Sequence, residues 1–327
     1  MHAWICSNPE AGPEGLSWQD VPTPQPGKGE VRVAIKAASL NFPDLLIVQG
    51  KYQIKPNPPF VPGAEFAGVV EAVGDGVKHL AVGTSVAGFA GTGGFGTHTV
   101  CPAAVLMPLP PAFSFEDGAA FLCTYGTSYH ALMDRAALKA GETVLVLGAA
   151  GGVGTAAIQI AKAAGARVIA AASSDDKCAL CQQLGADATI NYSTGNLREE
   201  LKALTEGKGP DVVYDPVGGD LTEAAFRSIA WRGRYLIIGF AQGQIPALPL
   251  NLALLKGASI LGVFWGEFAK REPANNAACL MQLAAWYMEG KIKPLIEHTL
   301  PMSQLKEAFT LMGTRQVRGK VVLINEG

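Results

Sequence analysis

The chain has 327 residues, of which 49% are hydrophobic and 17% charged, and its net charge at pH 7 is -2. That balance excludes a disordered chain, and so small a charge gives no field to draw in nucleic acid or an anionic membrane. The length suits about two domains, each able to bury its own core.

The opening residues, Met1-His-Ala-Trp4, lack the basic start and apolar core of a secretory signal. Six cysteines, Cys6, Cys101, Cys123, Cys178, Cys181 and Cys279, follow no disulfide spacing. They read as free thiols in a reducing compartment, the cytoplasm. The first third predicts short strands at 30–37 and 67–73 between Pro/Gly punctuation at 21–27 and 56–62, with glycine-rich turns through 88–96. Helical patterns begin near Ser114. From Thr143 strand and helix alternate, with strands expected at 143–147, 167–172, 188–191, 211–215, 234–239 and 259–264. Such alternation predicts an α/β fold with a parallel sheet covered on both faces and ligands at the carboxyl ends of its strands. The apolar stretch 144–172 resembles a membrane span in length, but Gly148, Gly151, Gly152 and Gly154 interrupt it and Lys162 and Arg167 charge it. Strand, turn and helix fit better. Cys178 and Cys181 have the CxxC spacing of a redox pair or half a zinc site. They fall on an expected surface helix, 176–184, with no second pair to match, so they read as structural. A helix follows Pro273 to about Glu289, and a strand-like tail at 319–324 returns to the first domain.

The run Val144-Leu-Val-Leu-Gly148-Ala-Ala-Gly151-Gly152-Val-Gly154 precedes a helix rich in small residues. Glycines there let the backbone approach a pyrophosphate, and the helix N-terminus supplies N–H groups and partial positive charge. Ala150, Gly151, Gly152 and Val153 are the expected contacts; the alternative is a packing turn without a ligand. An NAD enzyme would end the next strand on Asp or Glu, to hold the ribose hydroxyl. This strand ends Ala172-Ser173-Ser174, with Lys177 beyond and Tyr192 after the third strand, a set suited to the 2′-phosphate of NADPH. Asp175 and Asp176 complicate that reading, since either is a candidate for a slightly displaced ribose acid.

With these residues placed, the chain resembles the zinc-free quinone oxidoreductase branch (zeta-crystallin-like) of the medium-chain dehydrogenase/reductase superfamily. The resemblance spans nearly the whole length, on Asn41-Phe-Pro-Asp44, Gln49-Gly-Lys-Tyr52, Val61-Pro-Gly-Ala-Glu65-Phe-Ala-Gly68, Ala149-Ala-Gly-Gly-Val-Gly154, Asp215-Pro-Val-Gly-Gly219 and Gly319-Lys-Val-Val322. It implies a GroES-like β-rich catalytic domain, 1–123 and 266–327, around a Rossmann NADPH-binding domain, 124–265. It implies roles too. Lys177 and Tyr192, with Ser173, match positions that bind the 2′-phosphate; Thr127 matches a contact near the nicotinamide; Asn41 matches a polar residue on the active-site floor that also meets the cofactor. Val217 lies in a matching cofactor motif, and Phe240, Phe264 and Trp265 match segments that close over it.

Zinc dehydrogenases of this superfamily need Cys and His ligands at three separated places. Here those places hold Asn41, Ala64 and Cys123. One thiol cannot hold catalytic zinc, so no metal is expected and Cys123 reads as a packing residue. Without a Lewis acid, hydride transfer to a quinone or activated alkene is easier than alcohol–ketone interconversion. A positioned hydrogen-bond donor then suffices. The resemblance makes Tyr52 that candidate, since it matches the loop tyrosine proposed as proton donor in zinc-free enoyl-thioester reductases of the superfamily, with packing against a ring as its other reading; the histidines, His79, His98, His130 and His298, have no partnered Asp or Ser at motif spacing. The expectation is an NADPH:quinone oxidoreductase. Its alternatives are a 2-enoyl-CoA or alkenal reductase, for which no basic cluster speaks, and a crystallin-like nucleotide-binding non-enzyme. A homodimer through the strand at 259–264 is also expected, because no charge blunts it from Ala258 to Gly266.

Overall fold

The run Thr143–Val146 is buried on both faces, with Val144, Leu145 and Val146 inaccessible to water. Only a central strand covered by helices on either side hides both faces of such a run. It lies inside a six-stranded parallel sheet ordered Ala188–Asn191, Arg167–Ala172, Thr143–Val146, Val212–Asp215, Arg234–Ile237, Ser259–Gly262. In chain order that is 3-2-1-4-5-6, the doubly wound arrangement, in which the winding reverses beside the first strand. Leu145, Ile169, Val213 and Phe226 share its core, each contributing about 1.5–3 kcal/mol by leaving water. The last strand is shorter than the sequence predicts. It ends at Gly262, and Phe264 turns the chain into the helix Trp265–Arg271.

The computed structural model describes residues 1–314 and 316–325, in two units: Met1–Cys123 with the described residues from Pro294 onward, and Thr124–Lys293. Residues 266–293, expected with the catalytic domain, belong instead to the second unit. The reason is packing. A Cβ on Gly126 would lie 2.6 Å from the Trp265 indole, so that glycine makes room for the ring. Trp265 Nε1 donates to Asn276 Oδ1 at 2.9 Å, and the Tyr129 and Trp286 rings meet at 5.7 Å between centroids. The helices Trp265–Arg271 and Pro273–Met288 are thereby tied to the sheet-bearing unit.

In the first unit, Glu30–Ser39 is the central strand. It pairs antiparallel with Glu65–Val73 on one side, and with His98–Pro102 and Lys320–Ile324 on the other. Val31, Val33 and Ile35 alternate inward against Phe66, Val86 and Phe95, the two-residue period of a sheet with one packed face. The strand-like tail expected at 319–324 thus pairs within the first unit. It brings Lys320 to the edge of Ser39, Leu40 and Asn41. No helix among the described residues is long and apolar enough to cross a membrane.

Candidate functional site

The first strand of the parallel sheet runs into the turn that starts the helix Gly152–Ala163. Gly148 has φ of 56°, a left-handed conformation that glycine adopts without the usual Cβ clash. A Cβ on Gly154 would lie 2.5 Å from the Gly148 carbonyl oxygen and 2.7 Å from Ala149 Cα, so the helix presses directly onto the turn. Gly151 caps the helix without a side chain, leaving its first-turn N–H groups for an anion at the point where the winding reverses. Ala150 is buried; Gly151, Gly152 and Val153 are half-buried. This is a cradle that fits a pyrophosphate.

Two supports hold the turn, and the sequence reveals the bonding partners of neither. Ser128 Oγ donates to the Val153 carbonyl at 3.0 Å and lies 2.8 Å from the Tyr214 hydroxyl, which fixes the helix carrying Thr127 against the turn. Buried Asp215 accepts from the backbone N–H groups of Val217 at 2.8 Å and Gly218 at 2.9 Å, from Thr222 Oγ1 at 3.0 Å and from the Tyr235 hydroxyl at 2.6 Å. Burial and that carboxylate push the Tyr235 hydroxyl far above its ordinary range, keeping it a donor. The turn so fixed sets Val217 against Gly148, where a Cβ would meet Val217 Cγ2 at 2.8 Å, and Gly218 against Phe240. The only sequence signal was an acid ending an apolar strand before a proline and two glycines.

At the end of the neighbouring strand, Lys177 Nζ lies 3.5 Å from Ser173 Oγ. The Tyr192 backbone N–H bonds the Ala172 carbonyl at 3.0 Å, so Ser173, Lys177 and Tyr192 gather around one strand end. Asp175 is turned aside: its Oδ1 accepts from Asn191 Nδ2 at 2.7 Å. Asp175 and Asp176 occupy the exposed first turn of Asp175–Gln183, where acids complement the helix dipole. Cys178 and Cys181 face inward from the same helix, and burial raises both thiols, Cys181 to about 12. Of the remaining expected contacts, Thr127 is half-buried and Phe264 is 49% exposed, whereas Trp265 is buried on Gly126.

In the first unit, Asn41 lies on a buried floor of charge. Its Oδ1 accepts from Lys320 Nζ at 2.6 Å and its Nδ2 donates to Glu65 Oε2 at 2.9 Å. Lys320 also donates to the Leu40 carbonyl at 2.8 Å and stands 3.6 Å from Glu65 Oε2. Glu65 Oε1 accepts from the Cys123 N–H at 2.9 Å, and Asp44 accepts from the N–H groups of Asn41 at 2.8 Å and Ala64 at 3.0 Å. Burial raises Asp44 to about 7, even though those two N–H groups and Lys320 pull it down. Burial likewise raises half-buried Tyr52, and Cys123 and Asp44 nearby add to the shift, so its phenol holds its proton. Sequence reasoning singled out Asn41 and Tyr52 but gave no role to Asp44, Glu65 or Lys320.

The three zinc-ligand places do not make a metal site. Asn41 is engaged by Lys320 and Glu65, the Ala64 side chain carries no ligand atom, and burial followed by the Glu65 charge drives the Cys123 thiol up, against the thiolate a metal needs. No group of three or more His, Cys, Asp or Glu among the described residues could hold a metal ion. One histidine corrects the sequence reading: His130 Nδ1 does have an acid, Asp134 Oδ2, at 2.8 Å, though off the line of a hydrogen bond. Its ring is stacked on Phe268 with 4.0 Å between centroids, and burial lowers its pKa.

A family model for the alcohol dehydrogenase GroES-like domain matches residues 27–111, and one for zinc-binding dehydrogenase matches residues 152–285. The quinone oxidoreductase-like protein 2 homolog of Nematostella vectensis is 39% identical over 300 residues, covering 91% of this chain and 82% of its own. The quinone oxidoreductase of Thermus thermophilus, solved also in its complex with NADPH, is similar with a TM-score of 0.86 at 35% identity, over 99% of this chain and 100% of that one. A structure described as an NAD-dependent alcohol dehydrogenase gives a TM-score of 0.88 at 34% identity, over 100% of both chains.

Proposed function

Because the chain belongs to the quinone oxidoreductase branch of the medium-chain dehydrogenase/reductase superfamily, we propose that it is an NADPH-dependent, metal-independent oxidoreductase acting on quinones or related electron-poor acceptors. The observation that carries the cofactor choice is the strand end where Lys177 meets Ser173 beside Tyr192, while Asp175 is held away by Asn191. A cation and hydroxyls favour a phosphate dianion that a carboxylate would repel. Ser173, Lys177 and Tyr192 would hold the 2′-phosphate, and the turn Ala150, Gly151, Gly152, Val153 the pyrophosphate. Within the second unit Thr127, Val217, Phe240 and Phe264 would serve the nicotinamide end, with Trp265 as the packing beneath; Asn41 belongs to the floor of the first unit. Bound NADPH supplies the hydride.

Tyr52 would then donate to the oxygen that gains charge, its phenol kept neutral by burial and by Asp44. The places of zinc ligands, Asn41, Ala64 and Cys123, do not fit the metal, and no step needs it. Six unpaired thiols accord with a reducing compartment, which we take to be the cytoplasm. We extend the reading to a homodimer through Ser259–Gly262, an edge strand with Ile260 37% exposed and followed by Phe264 at 49%. Light scattering should give twice 34.1 kDa; a clean monomer mass removes the dimer.

The test of function is NADPH oxidation against a panel of quinones, alkenals and 2-enoyl thioesters, with and without chelator. Quinone turnover that prefers NADPH to NADH and ignores the chelator is the expected result. Preference for enoyl thioesters would make the chain an alkene reductase. Tryptophan quenching by NADPH with no turnover on any acceptor would make it a non-enzyme, and chelator-sensitive turnover would overturn the metal-independent reading.

A further inference from the structure

The Asn41 amide has one donor position to spare. An amide nitrogen carries two hydrogens. One goes to Glu65 Oε2, and among the described residues no acceptor takes the second. The residue is only 5% exposed, and a buried polar hydrogen of this kind ordinarily has a partner.

The orientation of that hydrogen is forced. A flipped amide would set its oxygen against the Glu65 carboxylate and its NH₂ against the Lys320 ammonium, so both contacts would become repulsive. The two groups that force it are themselves held by backbone. Lys320 is tied to the Leu40 carbonyl at 2.8 Å, and Glu65 Oε1 to the Cys123 N–H at 2.9 Å. Both are buried, at 4% and 0% exposure, where such contacts are poorly screened by water.

We propose that Lys320 and Glu65 are positioning residues that lock the Asn41 amide so that its remaining N–H is presented to the oxygen of the acceptor as negative charge develops there. This rests on the reading of Asn41 and Tyr52 as the acceptor site. A donor fixed before the reaction costs no reorganisation during it, which is what makes preset hydrogen bonds effective. Lys320 acts through Asn41 and need not touch the substrate.

The test is a double-mutant cycle on the full chain, with NADPH affinity read separately by tryptophan fluorescence and folding by thermal melting. Asn41→Ala should lower kcat by about 10²-fold, the usual cost of one oxyanion donor. Lys320→Met should lower it by at least about tenfold, with NADPH affinity within about twofold of the parent, and Lys320→Arg should recover most of the loss. In the Asn41→Ala background Lys320→Met should cost no further turnover, because there is no amide left to orient. A merely structural lysine would cost the same factor in both backgrounds, and that result overturns the proposal, as does full turnover in a folded Lys320→Met. Should Lys320→Met fail to fold, Glu65→Gln replaces it in the same cycle under the same criterion. If Asn41→Ala alone leaves turnover intact, the acceptor-site reading itself fails; if Asn41→Ala is impaired but the cycle is additive, only the lock fails.

Discussion

The phosphate turn of the second unit and the polar floor of the first use opposite materials. The turn is almost all backbone: Gly148, Gly151, Gly152 and Gly154 strip away side chains so that peptide N–H groups can face an anion. The floor is built on side chains, with two carboxyl groups and an ammonium buried around Asn41 and tied to backbone N–H and carbonyl groups. Peptide dipoles bind phosphate without carrying a charge that must be desolvated. Buried ions carry that cost, offset here because each has a charged or hydrogen-bonded neighbour. On the proposed reading the two divide the labour, the turn holding the dinucleotide and the floor serving the chemistry.

Tyr52→Phe sharpens this division most. If the phenol donates to the acceptor, turnover should fall about 10²–10⁴-fold while NADPH affinity stays unchanged. Equal turnover on every accepted substrate would leave Tyr52 as packing alone. Gly154→Ala attacks the other side. Its Cβ would lie 2.5 Å from the Gly148 carbonyl, an overpacking worth about 1–3 kcal/mol. Titration should show roughly 5- to 150-fold weaker binding of NADPH and NADH alike, since both share the pyrophosphate. Loss of turnover without loss of binding would break the comparison.

Lys177→Ala separates the two dinucleotides. Losing a charged phosphate contact should cost NADPH about 1.5–3 kcal/mol and NADH little. Equal weakening, or tighter NADH binding in the parent protein, would remove the NADPH assignment. The smallest effect is on stability. Asp44, at about 7 when folded, holds a proton that an unfolded carboxyl, near 4, has released. Its contribution to folding is therefore full below about pH 4 and lost as pH rises through about 7. Thermal melts of Asp44→Asn against the parent should shift in the variant's favour over that interval. A difference that stays level would mean the buried carboxyl is ionised throughout.

The two regions were not equally legible. Residues 148–154 are contiguous, and Ser173 and Lys177 lie within one strand end and the following helical turn, so local pattern sufficed to place them. The doubly wound sheet followed from alternation of the same local kind. The floor joins Lys320 to Asn41 across 279 positions of sequence, and only the pairing of Lys320–Ile324 with Glu30–Ser39 creates it. A lysine opening a strand reads as solvent-facing, so its burial gave no signal. The misplaced segment 266–293 failed for a related reason. The resemblance grouped it with the first unit, whereas the contacts of Trp265 with Gly126 and of Trp286 with Tyr129 are long-range and tie it to the second. Asp175 was ambiguous until Asn191 was seen to hold it.

The strand Lys320–Ile324 also sets an order of events during synthesis. The ribosome releases the whole nucleotide-binding unit before this strand emerges, so the unit that begins first finishes last. Domains generally fold as they appear, yet Asp44 and Glu65 must wait for their countercharge, and residues 37–39 for a hydrogen-bonding neighbour. A nascent chain paused short of residue 320 would carry a finished nucleotide-binding unit behind an unclosed strand edge, the kind of template that chaperones shield and neighbouring chains invade.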